Sequence, residues 1–392
     1  MSMTYTRGYA TRPIPRGSGG PSYWRDLDWI LLAAALATTV FGSVLVWSAS
    51  RADMAGDDPT SYLRRHLVNV VIGIVLGVVA SRLDYRWLRA YTPVIYGASV
   101  LFLFMPFVPG LGTRIAGAQA WVDLPGGFTV QPSEFAKVAV ILMMAVILAE
   151  KRDIESAPRD RDVMLSLGVA LLPILIILVQ NDTGTVLILG AVALSVIAVA
   201  GARTRWVVGL IVGAVVGILA AIQLGLLKQY QVERLTSFIN PTADIGDAAY
   251  NANQAQIAIG GGGWLGHGLF QGPQTQGKFV PVNESDFIYT VVGEELGFVG
   301  SVVLLALITI ILWRAILIAF RADDLYGRLV ATGIVAWLGF QAFENIGMSL
   351  GIMPITGIPL PLVSAGGTSM MATWIAIGLL QNVRIHAMRA GT

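Results

Sequence analysis

Six ionisable residues stand within or at the edge of long apolar runs: Glu134, Lys137, Asp182, Glu294, Glu295 and Glu344. A charge in a bilayer is costly, so such residues point to a polar cavity, an ion path or a structural ion pair. A second, denser group lies just ahead of Glu294 and Glu295: Lys278, Pro281, Asn283, Glu284, Ser285, Asp286 and Phe287. A carboxylate in such a group can take a proton from a hydroxyl, and a lysine can offset negative charge on a leaving group. Glutamates gathered at one point can hold a divalent cation such as Mg or Mn. Two simpler accounts stand beside these: Lys137 paired with one of the glutamates, and Asp286 capping the free amides of a helix start. Residue types alone leave both open.

Holding these few residues in place takes most of the chain. It is 55% hydrophobic and 13% charged, too little polar surface for a water-soluble globule of 392 residues. Apolar runs near the length of a membrane crossing occupy 29–48, 67–81, 90–107, 134–149, 164–179, 184–201, 206–226, 295–318, 328–349 and 368–384. The expected fold is an all-α integral membrane protein of about ten transmembrane helices within 26–386, with a long extracytoplasmic loop at 227–286 between helices 7 and 8. Residues 1–25 carry Arg7, Arg12, Arg16 and Arg25 but no short apolar core before a cleavage site. They read as a disordered cytoplasmic tail rather than a signal peptide, and 387–392 read as a second tail. With no cysteine, disulfides, thiolate metal sites and a cysteine nucleophile are excluded.

Basic residues set the orientation. With the N-terminus inside, 18 Lys and Arg fall in the inner connections and 7 in the outer ones. Both termini are therefore expected in the cytoplasm, and all six membrane-embedded ionisable residues in the outer half. Three connections expected outside carry unusual sequence. Residues 108–133 contain Trp121 and end on Gln131-Pro132-Ser133-Glu134; 227–286 hold the dense polar group; 350–367 are uncharged, with Gly and Pro that forbid a regular helix. The apolar content of 350–367 predicts a re-entrant or interfacial segment packed against protein.

Several motifs carry less than their letters suggest. Gly261-Gly262-Gly263-Trp264-Leu265-Gly266 fits G-x-G-x-x-G, yet no βαβ pattern surrounds it, so it reads as a flexible loop or a backbone-amide anion cradle and not as a dinucleotide site. Ser133 to Lys137 is one residue too long for S-x-x-K, and a serine acyltransferase is unsupported. Gly73/Gly77 and Gly209/Gly213/Gly217 have the spacing of close helix packing. His66, His267 and His386 are too scattered for a metal triad.

From about 28 to 384 the chain resembles the SEDS family, the RodA/FtsW/SpoVE peptidoglycan glycosyltransferases. The strings that carry the resemblance begin with Trp121, Gln131-Pro132-Ser133-Glu134 and Lys137, then Asp182-Thr183-Gly184-Thr185, Arg234 with Asn240-Pro241, and Tyr250-Asn251 with Gln254. They continue with Ser285-Asp286-Phe287-Ile288, Gly293-Glu294-Glu295-Leu296-Gly297-Phe298, Asn345 to Met348, Pro354 to Pro361, and Ser364 with Gly366-Gly367-Thr368-Ser369. Two positions depart from the family pattern: Ala120 stands where an arginine commonly precedes the tryptophan, and Glu284-Ser285 where His-Thr often precedes the aspartate. Asp28-Trp29 and Thr356 to Pro361 look more like RodA than FtsW.

The resemblance implies polymerisation of lipid II on the outer face of the bacterial cytoplasmic membrane, in cell elongation. Asp286 matches the family's essential aspartate and would be the general base. Lys137, Arg234 and Lys278 would counter the pyrophosphate, and Trp121, Gln131, Ser133, Glu134, Asn251, Gln254 and Ser364 would bind substrate. A divalent cation held by Glu294, Glu295 or Glu344 is an expectation; a nucleotide or redox cofactor is not. Expected partners are a class B penicillin-binding protein, other elongation-complex membrane proteins and membrane lipids, with no nucleic acid. A division polymerase of FtsW type, a lipid II flippase and a non-catalytic scaffold are the competing readings. A flippase predicts ionisable residues through the full membrane depth and a repeat of broken helices, neither of which the sequence contains.

Overall fold

A computed structural model describes residues 22–51, 60–115, 117–124, 128–150, 157–225, 232 and 247–390. Helices dominate: α1 (Ser22–Asp26), α2 (Trp29–Arg51), α3 (Ser61–Arg82), α4 (Tyr85–Phe102), α5 (Pro132–Leu148), α6 (Asp160–Val179), α7 (Thr183–Val199) and α8 (Thr204–Gln223). After them come α9 (Asp247–Gly261), α10 (Pro273–Gln276), α11 (Ile288–Val291), α12 (Gly297–Arg321), α13 (Leu325–Ser349) and α14 (Gly367–Ala390). Seven segments among the described residues are long and apolar enough to cross a membrane: α2, α3, α4 with its extension to Phe107, α6, α8, the run from Ile288 through α12, and α13. α7 is a shorter apolar helix, and α5 and α14 pack in the same bundle. In α5, 13 of 17 residues are buried, which makes it a central post, as expected for a helix apolar nearly all round.

The two ends of the bundle differ in chemistry. At one end Asp28 is buried and accepts from Arg314 (Nη2, 2.6 Å), Arg384 (Nη1, 2.8 Å) and the amide of Leu31 (3.1 Å), clasping the start of α2 to α12 and α14. Tyr85 donates to Asp324 beside it (2.6 Å). At the other end the expected outer connections meet. Gln119 N–H donates to Gln180 O (2.9 Å), Lys278 to Ala49 O (2.9 Å) and Ser364 to Ser285 O. The division of connections between two faces is therefore the one the basic residues predict.

Glycines decide how closely α3 and α14 approach. A Cβ on Gly77 would lie 2.6 Å from Trp374 O, and one on Gly378 would lie 2.1 Å from Gly77 O. Gly77→Leu is expected to lower the thermal unfolding midpoint of the purified protein by overpacking this seam, at a cost of about 1–3 kcal/mol. Gly213→Leu should leave the midpoint unchanged. Among the described residues the Gly209, Gly213 and Gly217 spacing marks no packing: α8 has no buried residue and nothing there stands within 4 Å of where those Cβ atoms would be.

Some expected loops and tails carry structure. Residues 112–130 form an antiparallel sheet, β1 (Gly112–Ile115), β2 (Ala118–Leu124) and β3 (Phe128–Val130), with Thr113 opposite Trp121 and Val122 opposite Val130. Strands of three to seven residues around Gly-rich turns leave little alternation to read. The expected tail 1–25 ends in α1, whose Tyr23 is buried and bonds Ser81 (2.6 Å); residues 1–21 lie outside the described residues. The expected tail 387–392 is helical to Ala390. The expected loop 227–286 contains α9 and α10, while Arg234 lies outside the described residues. Helix 8 begins at Ile288, next to the expected loop end at 286 and ahead of the apolar run at 295–318, because buried partners satisfy Glu294 and Glu295 within it. Residues 351–366 form no helix and bury Leu360, Leu362, Val363 and Ser364, as expected of a segment packed against protein.

Candidate active site

Asp286 ends a tight turn in which the amides of Ser285 and Asp286 bond Val282 O (3.2 and 3.1 Å). Val282 holds φ at 54°, a left-handed conformation costly for a β-branched residue, so the surrounding contacts must enforce it. Three bonds do so from other elements. Ser364 Oγ donates to Ser285 O, Ala365 N–H donates to Glu284 O (2.9 Å), and Asn345 Nδ2 donates to Asp286 O (2.7 Å). The same Nδ2 donates to Ile358 O (2.7 Å), so one buried amide ties the turn to the 354–361 segment. Gly357, at φ 73°, lies against the Asp286 carboxylate; a Cβ there would be 3.3 Å from Oδ2. Below the turn, Phe287 packs with Ala255, Ala258, Val280 and Ile355. The Asp286 side chain is half-buried and accepts from Ser285 Oγ (2.8 Å). It caps no helix: α11 starts after Phe287 with no side-chain cap.

A second cluster adjoins the first. Asp182 caps α7 through Thr185 N (3.0 Å) and accepts from Gln131 Nε2 (2.9 Å) and Ser133 Oγ (3.3 Å) at the start of α5. Gln131 N–H donates to Thr368 Oγ1 (3.1 Å) at the start of α14. Three helix N-termini thus converge, and α7 abuts the re-entrant segment, where a Cβ on Gly184 would lie 2.4 Å from Ile358 Cγ1. Their aligned peptide dipoles make this end of the bundle favourable for an anion.

Lys137 does not face that space. It is fully buried and pairs with Glu134 (2.8 Å), donates to Gln341 Oε1 (3.0 Å) and sits 4.7 Å above the Trp337 ring. Gln341 Nε2 in turn donates to Pro359 O (2.7 Å). The expected pyrophosphate contact of Lys137, and a direct substrate contact of Glu134, give way to an ion pair that props the re-entrant segment, because a charge at this depth must be matched by a neighbour. Lys278 is likewise held, by Ala49 O and by Asn283 Oδ1 (3.4 Å), with Glu284 at 3.8 Å. Ser364 is buried and donates to Ser285 O, so its part is to hold the turn. Asn251 and Gln254 are half-buried on α9, the helix that packs under Phe287, and Trp121 is half-buried in β2.

The glutamates separate. Glu294 accepts from the amides of Gln274 (2.6 Å) and Thr275 (2.8 Å) and from Thr275 Oγ1 (2.6 Å), which anchors α10. Glu295 accepts from Ser48 Oγ (2.6 Å) and Gln276 Nε2 (3.3 Å), which ties this loop to α2. Glu344 is buried on α13, and neither of its carboxylate oxygens has a hydrogen-bond partner. Among the described residues no three His, Asp or Glu side chains gather as metal ligands. Of the three glutamates expected to hold a divalent cation, Glu294 and Glu295 thus accept hydrogen bonds from protein groups. Glu294 and Glu295 lie in a π-helical turn, Val292–Leu296, that breaks the helix before Gly297. The Gly261 to Gly266 run mends the break: His267 N–H donates to Glu294 O (3.0 Å), Gly268 N–H to Glu295 O (3.0 Å) and Phe298 N–H to Gly263 O (2.9 Å). Within the run itself the amides of Gly262 and Gly266 bond Ile259 O and Gly262 O. Sequence reasoning named Asn345 and Thr368 only within the family strings and gave them no role, and it missed Gln341, whose one signal was a polar side chain inside an apolar helix.

The model of the FtsW/RodA/SpoVE cell cycle proteins matches residues 28–389. The probable peptidoglycan glycosyltransferase FtsW of Geobacter metallireducens is 37% identical over 364 residues, 91% of this chain and 94% of its own. The peptidoglycan glycosyltransferase MrdB of Escherichia coli is 34% identical over 92% of this chain and 94% of its own. Among solved structures, a chain of a peptidoglycan synthase complex that coordinates polymerization and crosslinking superposes with a TM-score of 0.77 at 32% identity, covering 92% of this chain and 98% of that one. The rod shape determining protein RodA of Thermus thermophilus gives 0.67 at 30% identity, covering 92% and 97%.

Proposed function

The chain belongs to the FtsW/RodA/SpoVE family and is a peptidoglycan glycosyltransferase, and from this we propose that it polymerises lipid II with Asp286 as the general base. The supporting observation is the clamp on residues 284–286, which holds the backbone by three bonds from two elements, α13 and the re-entrant segment, while leaving the carboxylate half-exposed. In the reaction, the 4-hydroxyl of an incoming lipid II attacks the anomeric carbon of the sugar that carries the growing strand. The bond from that carbon to the undecaprenyl pyrophosphate oxygen breaks, and Asp286 takes the hydroxyl proton. Pyrophosphate is a good leaving group that needs its charge stabilised rather than a proton, so one carboxylate suffices where a glycosidase uses two. The converging N-termini of α5, α7 and α14 supply that stabilisation.

The site end of the bundle faces outward, both termini lie in the cytoplasm, and the membrane is the bacterial cytoplasmic membrane; the excess of basic residues at the opposite end supports this orientation. A class B penicillin-binding protein crosslinks the new strands alongside other membrane proteins of the elongation complex. Asp28-Trp29 and Thr356 to Pro361 favour elongation over division, and depletion in the native bacterium should round the cells rather than leave them as filaments. The activity is tested by reconstituting the purified protein in liposomes with labelled lipid II. Glycan polymer is the expected product. Translocation of lipid II without polymer would show a flippase instead.

A further inference from the structure

With Lys137 paired inside the bundle, the leaving pyrophosphate needs other donors. We propose that the N-terminus of α14, with His66 and Asn69 of α3, forms an oxyanion site that receives the pyrophosphate of the polyprenyl carrier. The inference rests on the donor chemistry above and adds where the leaving group sits. α14 runs for 24 residues from Gly367. The first amides of a helix have no intrahelical acceptor, and the macrodipole adds positive potential there. Gly366 and Gly367 are partly exposed, and a Cβ on Gly366 would make only ordinary contact, with Ser369 Cβ at 3.4 Å and Pro359 Cβ at 3.8 Å.

The second observation is His66, buried, whose Nε2 has no hydrogen-bond partner among the described residues. The buried face of α3 is the stripe His66, Val70, Gly73 and Gly77. Along it Gly77 meets Trp374, Gly73 meets Met370, and Asn69 Nδ2 lies 2.7 Å from the Cβ position of Gly367. The two helices run in parallel, so one further turn back along α3 carries His66 past the start of α14 and over its first amides. A buried ring nitrogen without a partner costs free energy that a phosphate oxygen would recover. The site adjoins the base: Ser364 and Ala365, which bond Ser285 O and Glu284 O, immediately precede Gly366. Amide and imidazole N–H groups at a helix start suit a phosphate oxygen without a free lysine.

The test is calorimetric titration of the full-length protein in nanodiscs with farnesyl pyrophosphate, inorganic pyrophosphate and farnesol. His66→Phe, Asn69→Leu and Gly366→Ala should each weaken binding of the pyrophosphate ligands, the side-chain variants by about ten- to hundred-fold. Farnesol should be unaffected. Binding of both pyrophosphates identifies a site for the anion in general; binding of the farnesyl form alone assigns it to the lipid carrier. Gly366→Ala adds only a methyl group at ordinary van der Waals distance from its neighbours, so it reads the site even if His66→Phe fails to fold. Asp286→Asn should bind the pyrophosphate ligands no more weakly than the parent, since it removes a neighbouring negative charge, which separates this inference from the role of the base. Unchanged dissociation constants in Gly366→Ala and Asn69→Leu would overturn the proposal.

Discussion

Asp286→Asn should yield a folded protein that makes almost no glycan from lipid II, with a loss of about 10²–10⁴-fold if the carboxylate is the general base. The variant changes little else. The turn is held through the backbone oxygens of Glu284, Ser285 and Asp286, none of which the substitution touches. An asparagine Oδ1 can still accept from Ser285 Oγ, as Asp286 Oδ1 does. The measurement is polymer formed per minute at equal enzyme, alongside the thermal unfolding midpoint. An unchanged midpoint with lost activity assigns the base; retained activity removes Asp286 from the chemistry.

The second large effect is on stability. Lys137→Met should destabilise the protein by about 3–5 kcal/mol, because it leaves Glu134 buried without its partner. Glu134 Oε2 already lacks a hydrogen bond, so the carboxylate depends on the ammonium through Oε1 alone. Gln341 would also lose a donor to Oε1, keeping only Trp337 Nε1 at 2.6 Å. The double variant Glu134→Gln/Lys137→Met removes both charges and should recover most of the unfolding midpoint. It also distinguishes two roles for Lys137. A structural ion pair predicts that polymerase activity returns with the fold, whereas a direct pyrophosphate contact predicts a stable double variant that stays inactive.

The broken helix shows how far a sequence reading reaches. Glu294 and Glu295 interrupt the hydropathy of helix 8, so its apolar run reads only from 295 although the expected loop ends at 286. In the fold they lie inside it, because Thr275, Gln274, Ser48 and Gln276 come from other segments to satisfy them. Just past the Gly-rich run, the amides of His267 and Gly268 are taken by the carbonyls of Glu294 and Glu295, which the π-helical turn frees.

What the sequence determined by itself was the membrane architecture, the division of connections between two faces, the irregular segment at 350–367 and, through its resemblance to a family, Asp286. Those properties depend on local hydropathy, on Gly and Pro, and on motif strings, all of which can be read along the chain. Tertiary structure alone decided which polar side chains face each other. Asn345 reaches back 59 residues to Asp286 and forward 13 to Ile358, and Lys137 meets Gln341 across a separation of 204. In an apolar bundle a buried charge or amide takes the donor or acceptor that helix packing brings within 3 Å. That packing is set by close approaches such as Gly77 against Trp374, so it assigns Lys137 to support and leaves Asp286 for chemistry.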